Sequence, residues 1–100
     1  MTVPLIVAGE LRAGFAYGNK KAENELLLRR FLDMPSVNTA TITDKTTEIF
    51  AEIYLNLRKA GKPIGTNDLW IASICIENKL PLLTLDQDFA NICELELINI

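Results

Sequence analysis

Residues 67–86 read NDLWIASICIENKLPLLTLD, and this stretch decides the fold. Asn67 can cap a helix over residues 68–78, and residues 69–76 of that helix are apolar on every side apart from Ser73. We therefore expect the helix to be buried. Residues 82–85 form a bare apolar run, which is typical of a buried strand in a parallel sheet. A buried helix followed by a buried strand indicates an α/β fold.

Helices and strands alternate through the rest of the chain. Hydrophobic periodicity predicts helices over residues 3–17, 20–33 and 44–60, strands over residues 37–42 and 95–98, and a helical turn over residues 86–91. Thr43 is a good N-cap for the third helix, and Gly61 supplies its C′ residue. Residues 3–17 are apolar around nearly the whole circumference, so we expect this helix to be buried as well. Strands separated by helices imply a parallel sheet within a single domain of residues 1–100.

The composition restricts the class of protein and its chemistry. A chain of 100 residues that is 49% hydrophobic and 23% charged fits one small globular domain. It has no apolar run of membrane-spanning length and no signal-peptide pattern, so we expect a soluble, cytoplasmic protein. The absence of His excludes His bases and His metal ligands, and without a CxxC pair we expect Cys75 and Cys93 to be buried, reduced thiols. A net charge of −3 disfavours a grip on nucleic acid by bulk electrostatics, and 13 acidic residues favour Mg²⁺ or Mn²⁺ as cofactor.

Glu10 lies on a helix face that is otherwise apolar, where a carboxylate needs a partner. One interpretation is an ion pair with Arg12 or a Lys, or a position at a bundle edge where the carboxylate reaches water. The other interpretation is a ligand site. Gly9 and Gly14 favour it, because a glycine permits close approach of backbone or ligand.

Three further carboxylates stand at the ends of predicted apolar elements. Asp68 opens the buried helix, Asp86 follows the strand of residues 82–85 directly, and Asp88 comes two residues later. Each has a structural interpretation as a cap, a dipole partner or a turn residue. Ligands, however, gather beyond the carboxyl ends of parallel strands, and a buried helix presents its first turn at a fixed place. Together with Glu10, these residues predict an Mg²⁺ site.

Cationic side chains cluster on two of the predicted helices, and Trp70 lies within an apolar run. The cations are Lys20, Lys21, Arg29 and Arg30 on one helix and Arg58, Lys59 and Lys62 at the end of another. We interpret both groups as solvated faces, with contact to phosphate as the alternative. Trp70 is predicted to pack in the core.

Three blocks of sequence, in this order, resemble the PIN-domain ribonucleases of the VapC toxin type. The blocks are Gly9-Glu10-Leu11-Arg12-Ala13-Gly14, Thr66-Asn67-Asp68-Leu69-Trp70-Ile71-Ala72 and Leu83-Thr84-Leu85-Asp86-Gln87-Asp88-Phe89. The resemblance covers essentially the whole chain, and the three blocks together are specific although each one is weak. It implies a three-layer α/β fold with a parallel sheet between helices.

The resemblance also implies an Mg²⁺- or Mn²⁺-dependent endoribonuclease in which an acidic cluster holds the metal that activates water for attack on an RNA phosphodiester. Glu10, Asp68 and Asp86 match the acidic positions, with Asp88 as the less favoured substitute for Asp86. The polar residues expected to orient ligands or water are Thr66, Asn67 and Thr84. The implied partners are RNA, a second copy of the chain and an antitoxin that blocks the acidic site.

The chain departs from the family pattern before the Glu10 block, where the family has a strand with a further metal-binding Asp. No residue of this sequence matches that Asp, so we expect weakened metal binding. We also expect an N-terminally truncated sheet whose remaining edges, including residues 37–42, are unpaired. Two alternatives stay open: an inactive PIN remnant that dimerises or binds an antitoxin through its first two helices, and a helical structural domain whose acids only cap helices.

Overall fold

The computed structural model describes residues 1–84, 92 and 97–99. These residues form two compact units, residues 1–41 and residues 42–100. The elements in chain order are β1 (Thr2–Pro4), α1 (Leu5–Tyr17), α2 (Lys21–Leu32), β2 (Asn38–Ala40), α3 (Asp44–Lys59), α4 (Thr66–Glu77), β3 (Leu82–Thr84) and β4 (Leu97–Asn99). The strands pair in parallel as β1 with β2 and β3 with β4, which confirms the α/β class with parallel strands. That residues 1–100 form a single domain stays a prediction.

The first unit corrects the prediction for the start of the chain. The predicted first helix includes residues 3 and 4, but these residues belong to β1, in which Thr2 pairs with Asn38 of β2. The pairing continues at the terminus, where the Met1 ammonium donates to the Ser36 carbonyl at 2.7 Å. Pro4 is tolerated because it stands at the end of a short strand, where a missing N–H costs little. The strand predicted over residues 37–42 is therefore paired along β2, and the expectation of an unpaired edge there was wrong.

The expectation that the first helix is buried was also wrong. In α1 only Ala8 is buried, whereas Leu11 is 45% exposed and Tyr17 is 98% exposed. Within its unit α1 packs against α2 and β1. An apolar circumference makes burial favourable on every side, but two neighbouring elements cover only part of a helix. In α2, which was predicted correctly as a helix, Leu28 is buried and Leu26 and Leu27 are exposed.

In the second unit, α3 has the ends that its sequence predicts. The Thr43 hydroxyl accepts from the Thr46 backbone N–H, and the Thr46 hydroxyl accepts from the Thr43 N–H, so the two residues form a capping box. At the other end Gly61 has φ +71°. The N–H groups of Gly61 and Lys62 donate to the carbonyls of Arg58 and Leu57 at 3.1 and 2.9 Å, which is a Schellman motif.

The helix α4 packs against α3 and is the most deeply buried helix of the described chain. It begins at Thr66 with Gly65 as N-cap, two residues before the predicted cap at Asn67. Leu69 and residues 71–75 are buried, as predicted, and the Ser73 hydroxyl donates to the Leu69 carbonyl at 2.7 Å. Lys79 follows the helix with φ +54°. The predicted strands near residues 82–85 and 95–98 correspond to β3 and β4, while the helical turn predicted over residues 86–91 lies outside the described residues.

No helix within the described residues is both long enough and apolar enough to cross a membrane.

Candidate active site

Glu10 lies in the middle of α1 with its side chain exposed to water. Within the described part of the chain it makes no hydrogen bond and no ion pair, which excludes the ion-pair interpretation and confirms that the carboxylate reaches water. A Cβ atom built at Gly9 or Gly14 would meet nothing within 4 Å. The flank of α1 around Glu10 is therefore open, and its carboxylate oxygens are available to a ligand from solvent.

Arg12 does not pair with Glu10, because it pairs with Glu25 of α2. The Arg12 Nε donates to both carboxylate oxygens of Glu25 at 3.0 Å, and Nη2 lies 2.9 Å from Oε1. The hydrogen bond from Arg12 lowers the pKa of Glu25, and the same bond raises the pKa of Arg12. This pair links α1 to α2, and Glu10, the carboxylate of α1, has no cation partner among the residues that the structure describes.

Asp68 is the third residue of α4 and is half-buried. The first turn of a helix carries unpaired N–H groups and the positive end of the helix dipole, and both favour a carboxylate there. A Cβ atom at Gly65 would lie 3.9 Å from Asp68 Oδ2, so the carboxylate lies close to the helix cap. Thr66 and Asn67, the predicted supporting residues, occupy the same turn and are exposed. The buried body of α4 thus presents three polar side chains from a single turn.

The structure also contains a polar cluster that the sequence reasoning missed, which we call the Glu77 cluster: Thr43, Thr46 and Glu77. The Glu77 carboxylate accepts from the Thr43 hydroxyl at 2.6 Å and from the hydroxyl of Thr46, which is fully buried. The hydrogen bond from Thr43, followed by that from Thr46, lowers the pKa of Glu77. The threonine spacing does predict the cap, but nothing local points to Glu77, which lies 31 positions after Thr46.

The remaining predicted site residues lie at or beyond the end of β3. Thr84 is the last residue of β3. Asp86 and Asp88 lie outside the described residues. Glu10 belongs to the first unit and Asp68 to the second, so the convergence of the three carboxylates stays a prediction. Within residues 1–84, 92 and 97–99, no three His, Cys, Asp or Glu side chains form a group that could hold a metal ion.

Comparisons with known proteins point to one family. A family model described as PIN domain matches residues 1–95. Ribonuclease VapC5 of Mycobacterium tuberculosis is 29% identical over 89 residues, which cover 86% of this chain and 64% of VapC5. Ribonuclease VapC4 of the same organism is 31% identical over 98% of this chain and 75% of its own length. Among solved structures, VapBC2 from Rickettsia felis, bound to a DNA fragment from its promoter, superposes with a TM-score of 0.85. That chain is 33% identical, and the match covers 98% of this chain and 73% of that one.

Proposed function

Because this chain belongs to the PIN domain family, we propose that it is a metal-dependent endoribonuclease of the VapC toxin type. The observation that carries the proposal is Asp68, which the buried helix α4 presents from its first turn, half-buried and next to two polar residues. Glu10 adds an exposed carboxylate without a cation in the described chain. The similarity to ribonuclease VapC5 supports the proposal, and this chain spans 64% of the length of VapC5.

The donor chemistry of the chain fits Mg²⁺ or Mn²⁺. Both ions prefer oxygen ligands, and Glu10, Asp68 and Asp86 supply carboxylates. Nitrogen and sulfur ligands are scarce: the sequence has no His, and burial raises the pKa of the Cys75 thiol to about 11, so this sulfur stays protonated at neutral pH. A bound divalent ion supplies activated water and stabilises the charge that develops on the phosphate.

The protein's own contribution is to hold and orient. Glu10, Asp68 and Asp86 would hold the ion, with Asp88 as a substitute for Asp86. Thr66 and Asn67, which share a helical turn with Asp68, would orient the attacking water or a phosphate oxygen by hydrogen bonds. Thr84, the last residue of β3, would be the third residue with this role.

RNA cleavage by the purified chain tests this function. With Mn²⁺ or Mg²⁺ we expect metal-dependent cutting of a mixed structured RNA, abolished by EDTA and by Asp68→Asn. The matched control is Asp44→Asn, which changes an acidic residue in the first turn of α3 and should leave cutting unchanged. If both variants cut as the parent does, Asp68 is not in the site. If the parent does not cut under any of these conditions, the chain is not an active ribonuclease.

Metal binding gives a second readout that does not depend on turnover. Mn²⁺ titration followed by electron paramagnetic resonance should show a site that Glu10→Gln and Asp68→Asn weaken. Glu23→Gln on α2, also an exposed glutamate, should not change it. Mn²⁺ binding that survives the double variant of Glu10 and Asp68 would show that the ion binds elsewhere.

A second candidate function is an interaction protein, an inactive remnant that dimerises or binds an antitoxin. The similarity to a VapBC structure supports an antitoxin partner. Two large apolar side chains of α2 favour a protein contact, since Leu26 is 52% exposed and Leu27 is 62% exposed. Sedimentation should then show a dimer that Leu27→Ser weakens and Leu55→Ser, equally apolar and 50% exposed on α3, does not. A strict monomer at micromolar concentration would exclude the dimer.

A further inference from the structure

A row of stacked side chains runs from α4 to the C-terminal end of α3. Trp70 stacks on Phe50 with ring centroids 4.0 Å apart, and Phe50 lies nearly parallel to Tyr54 at 6.3 Å. The Arg58 guanidinium lies over the Tyr54 ring, with Cζ 5.6 Å from the centroid. Phe50, Tyr54 and Arg58 follow each other at intervals of four on α3, so they share one helix face. The row therefore ends in an exposed cation.

Arg58 is held in place by its neighbours, but no described carboxylate forms an ion pair with it. Its Nη1 donates to the Tyr54 hydroxyl at 3.1 Å. Among the residues that the structure describes, Arg58 makes no ion pair, whereas Arg12 and Lys45 each do. Basic residues in a last turn compensate the helix dipole, but that role needs no aromatic partner. A hydrogen bond and a ring contact together reduce the freedom of the guanidinium, so a ligand would order it at lower entropic cost.

A shallow pocket of about 40 Å³ lies beside this guanidinium, and we call it the Tyr54–Arg58 pocket. Its lining is Tyr54, Leu57, Arg58, Pro63, Ile64 and Leu69. Leu57 and Leu69 are buried and form an apolar floor, while Tyr54, 46% exposed, and Arg58 form a polar wall. Leu69 directly follows Asp68 in the first turn of α4. The pocket thus joins an apolar surface, an aromatic ring and a fixed cation, and one of its lining residues directly follows a predicted metal ligand in the sequence.

We propose that the Tyr54–Arg58 pocket binds one nucleotide of single-stranded RNA. The inference rests on the ribonuclease function proposed above, and it assigns the place where the substrate strand is gripped. Single strands expose both base faces and phosphates, and proteins bind them with aromatic rings, arginine planes and cations. At about 40 Å³ the pocket is far smaller than a cavity that encloses a ligand, about 300 Å³ or more, so the base lies across the mouth of the pocket, against the guanidinium plane. The phosphate then meets Arg58 and the neighbouring exposed cations Lys59 and Lys62, a local positive charge in a chain of net charge −3.

Binding to a fluorescein-labelled single-stranded RNA of about twelve nucleotides, measured by anisotropy in EDTA, tests the proposal without cleavage. We expect Arg58→Gln to weaken binding about tenfold, equivalent to about 1.4 kcal/mol. It should also reduce the slope of log K against log salt by about 0.7. Arg58→Lys keeps the positive charge but lacks the planar guanidinium. Its affinity for the RNA should lie between those of the parent and Arg58→Gln. The matched control is Arg30→Gln, an exposed arginine in the last turn of α2, which should stay within about twofold.

The outcomes separate the two proposals. Equal weakening by Arg58→Gln and Arg30→Gln would show unspecific electrostatics and overturn the pocket, as would parental affinity in Arg58→Gln. In either case metal-dependent cleavage by the parent would leave the proposed function standing. Arg58-dependent binding by a chain that does not cleave with Mn²⁺ would support the pocket and refute the ribonuclease. Far-UV circular dichroism of each variant checks that the fold is kept. If Arg58→Gln misfolds, the binding of Arg58→Lys decides the test instead.

Discussion

The Glu77 cluster links the N-terminal end of α3 to the C-terminal end of α4. Replacing Glu77 by Gln tests how much this cluster contributes to stability. Both hydroxyls that cap α3 donate to this one carboxylate, and Thr46 is fully buried. In Glu77→Gln one carboxylate oxygen becomes an NH₂ group that faces a hydroxyl, so one donor loses its acceptor. A hydrogen bond to a charged acceptor contributes about 1.5–3 kcal/mol. We therefore expect a loss of about 2 kcal/mol in the free energy of unfolding, or roughly 8–16 °C in Tm.

The pH dependence of this loss has a definite sign. The hydroxyls of Thr43 and Thr46 hold the pKa of Glu77 below its usual range in the folded state. The stabilisation is therefore fully present above the unfolded pKa, near about 4.3, and it disappears as the pH falls through the lower folded pKa. The stability difference between parent and Glu77→Gln should be constant around neutral pH and shrink in acid. Other carboxylates, including Glu25, titrate in both proteins and cancel in the difference.

Urea unfolding followed by circular dichroism measures the difference at a series of pH values. Glu52→Gln on α3 is the control, because Glu52 is exposed and makes no hydrogen bond to a described residue. Thr46→Val completes a double-mutant cycle, and we expect strong coupling with Glu77→Gln. A difference below about 0.5 kcal/mol at neutral pH would refute the reasoning on stability. A difference that stays constant into strong acid would refute the role of the carboxylate charge.

Three further predictions concern single positions. Gly61→Ala should lower Tm by about 4–8 °C, because the φ of +71° at this position strains any residue with a Cβ atom. Gly14→Ala, in the open interior of α1, should raise Tm instead, and a rise for Gly61→Ala would contradict the Schellman motif. Lys79→Gly should raise Tm by about 3–5 °C, since Lys79 occupies the left-handed region at φ +54°, and an unchanged or lower Tm in differential scanning fluorimetry would count against that conformation. In a Cys93→Ser background, Cys75 should react with Ellman's reagent only on unfolding, because Cys75 is 2% exposed and burial raises its pKa to about 11. Fast labelling of the native protein would contradict the burial of Cys75.

The sequence predicts those elements whose ends and core positions agree locally. The helix α3 is an example, since Thr43 and Gly61 act at its ends as predicted and lie next to the residues they cap. The buried run of α4 is another, because eight nearly uninterrupted apolar positions leave no solvated face. The cap of α4 lies two residues before the predicted one, since Gly65 and Asn67 are both acceptable caps in isolation.

Features that depend on distant residues could not be predicted. The strand β1 is only three residues long and exists because it pairs with β2, far along the chain. The exposure of α1 depends on how many neighbours cover it, which its own periodicity does not encode. Glu10 shows the same limit: its sequence position indicated an apolar face, but the structure leaves its carboxylate in water. For the site, the structure confirms the position of Asp68 in the first turn of α4, whereas its role as a metal ligand and the joint geometry with Glu10 and Asp86 stay predictions.

The elements that stabilise α4 also determine what it presents. The helix is buried along its middle, and its C-terminal residue Glu77 is hydrogen-bonded to the cap of α3. A helix held along its length and at its far end has little freedom to move its first turn, where Asp68 and Leu69 lie. Catalytic and binding groups work best when rigid elements hold them within a fraction of an ångström of their productive positions. Weakening the Glu77 cluster should therefore reduce metal affinity at Asp68 before the chain unfolds. Mn²⁺ titration of Glu77→Gln under fully folded conditions detects that loss, and unchanged affinity would show that the first turn is positioned by its local packing.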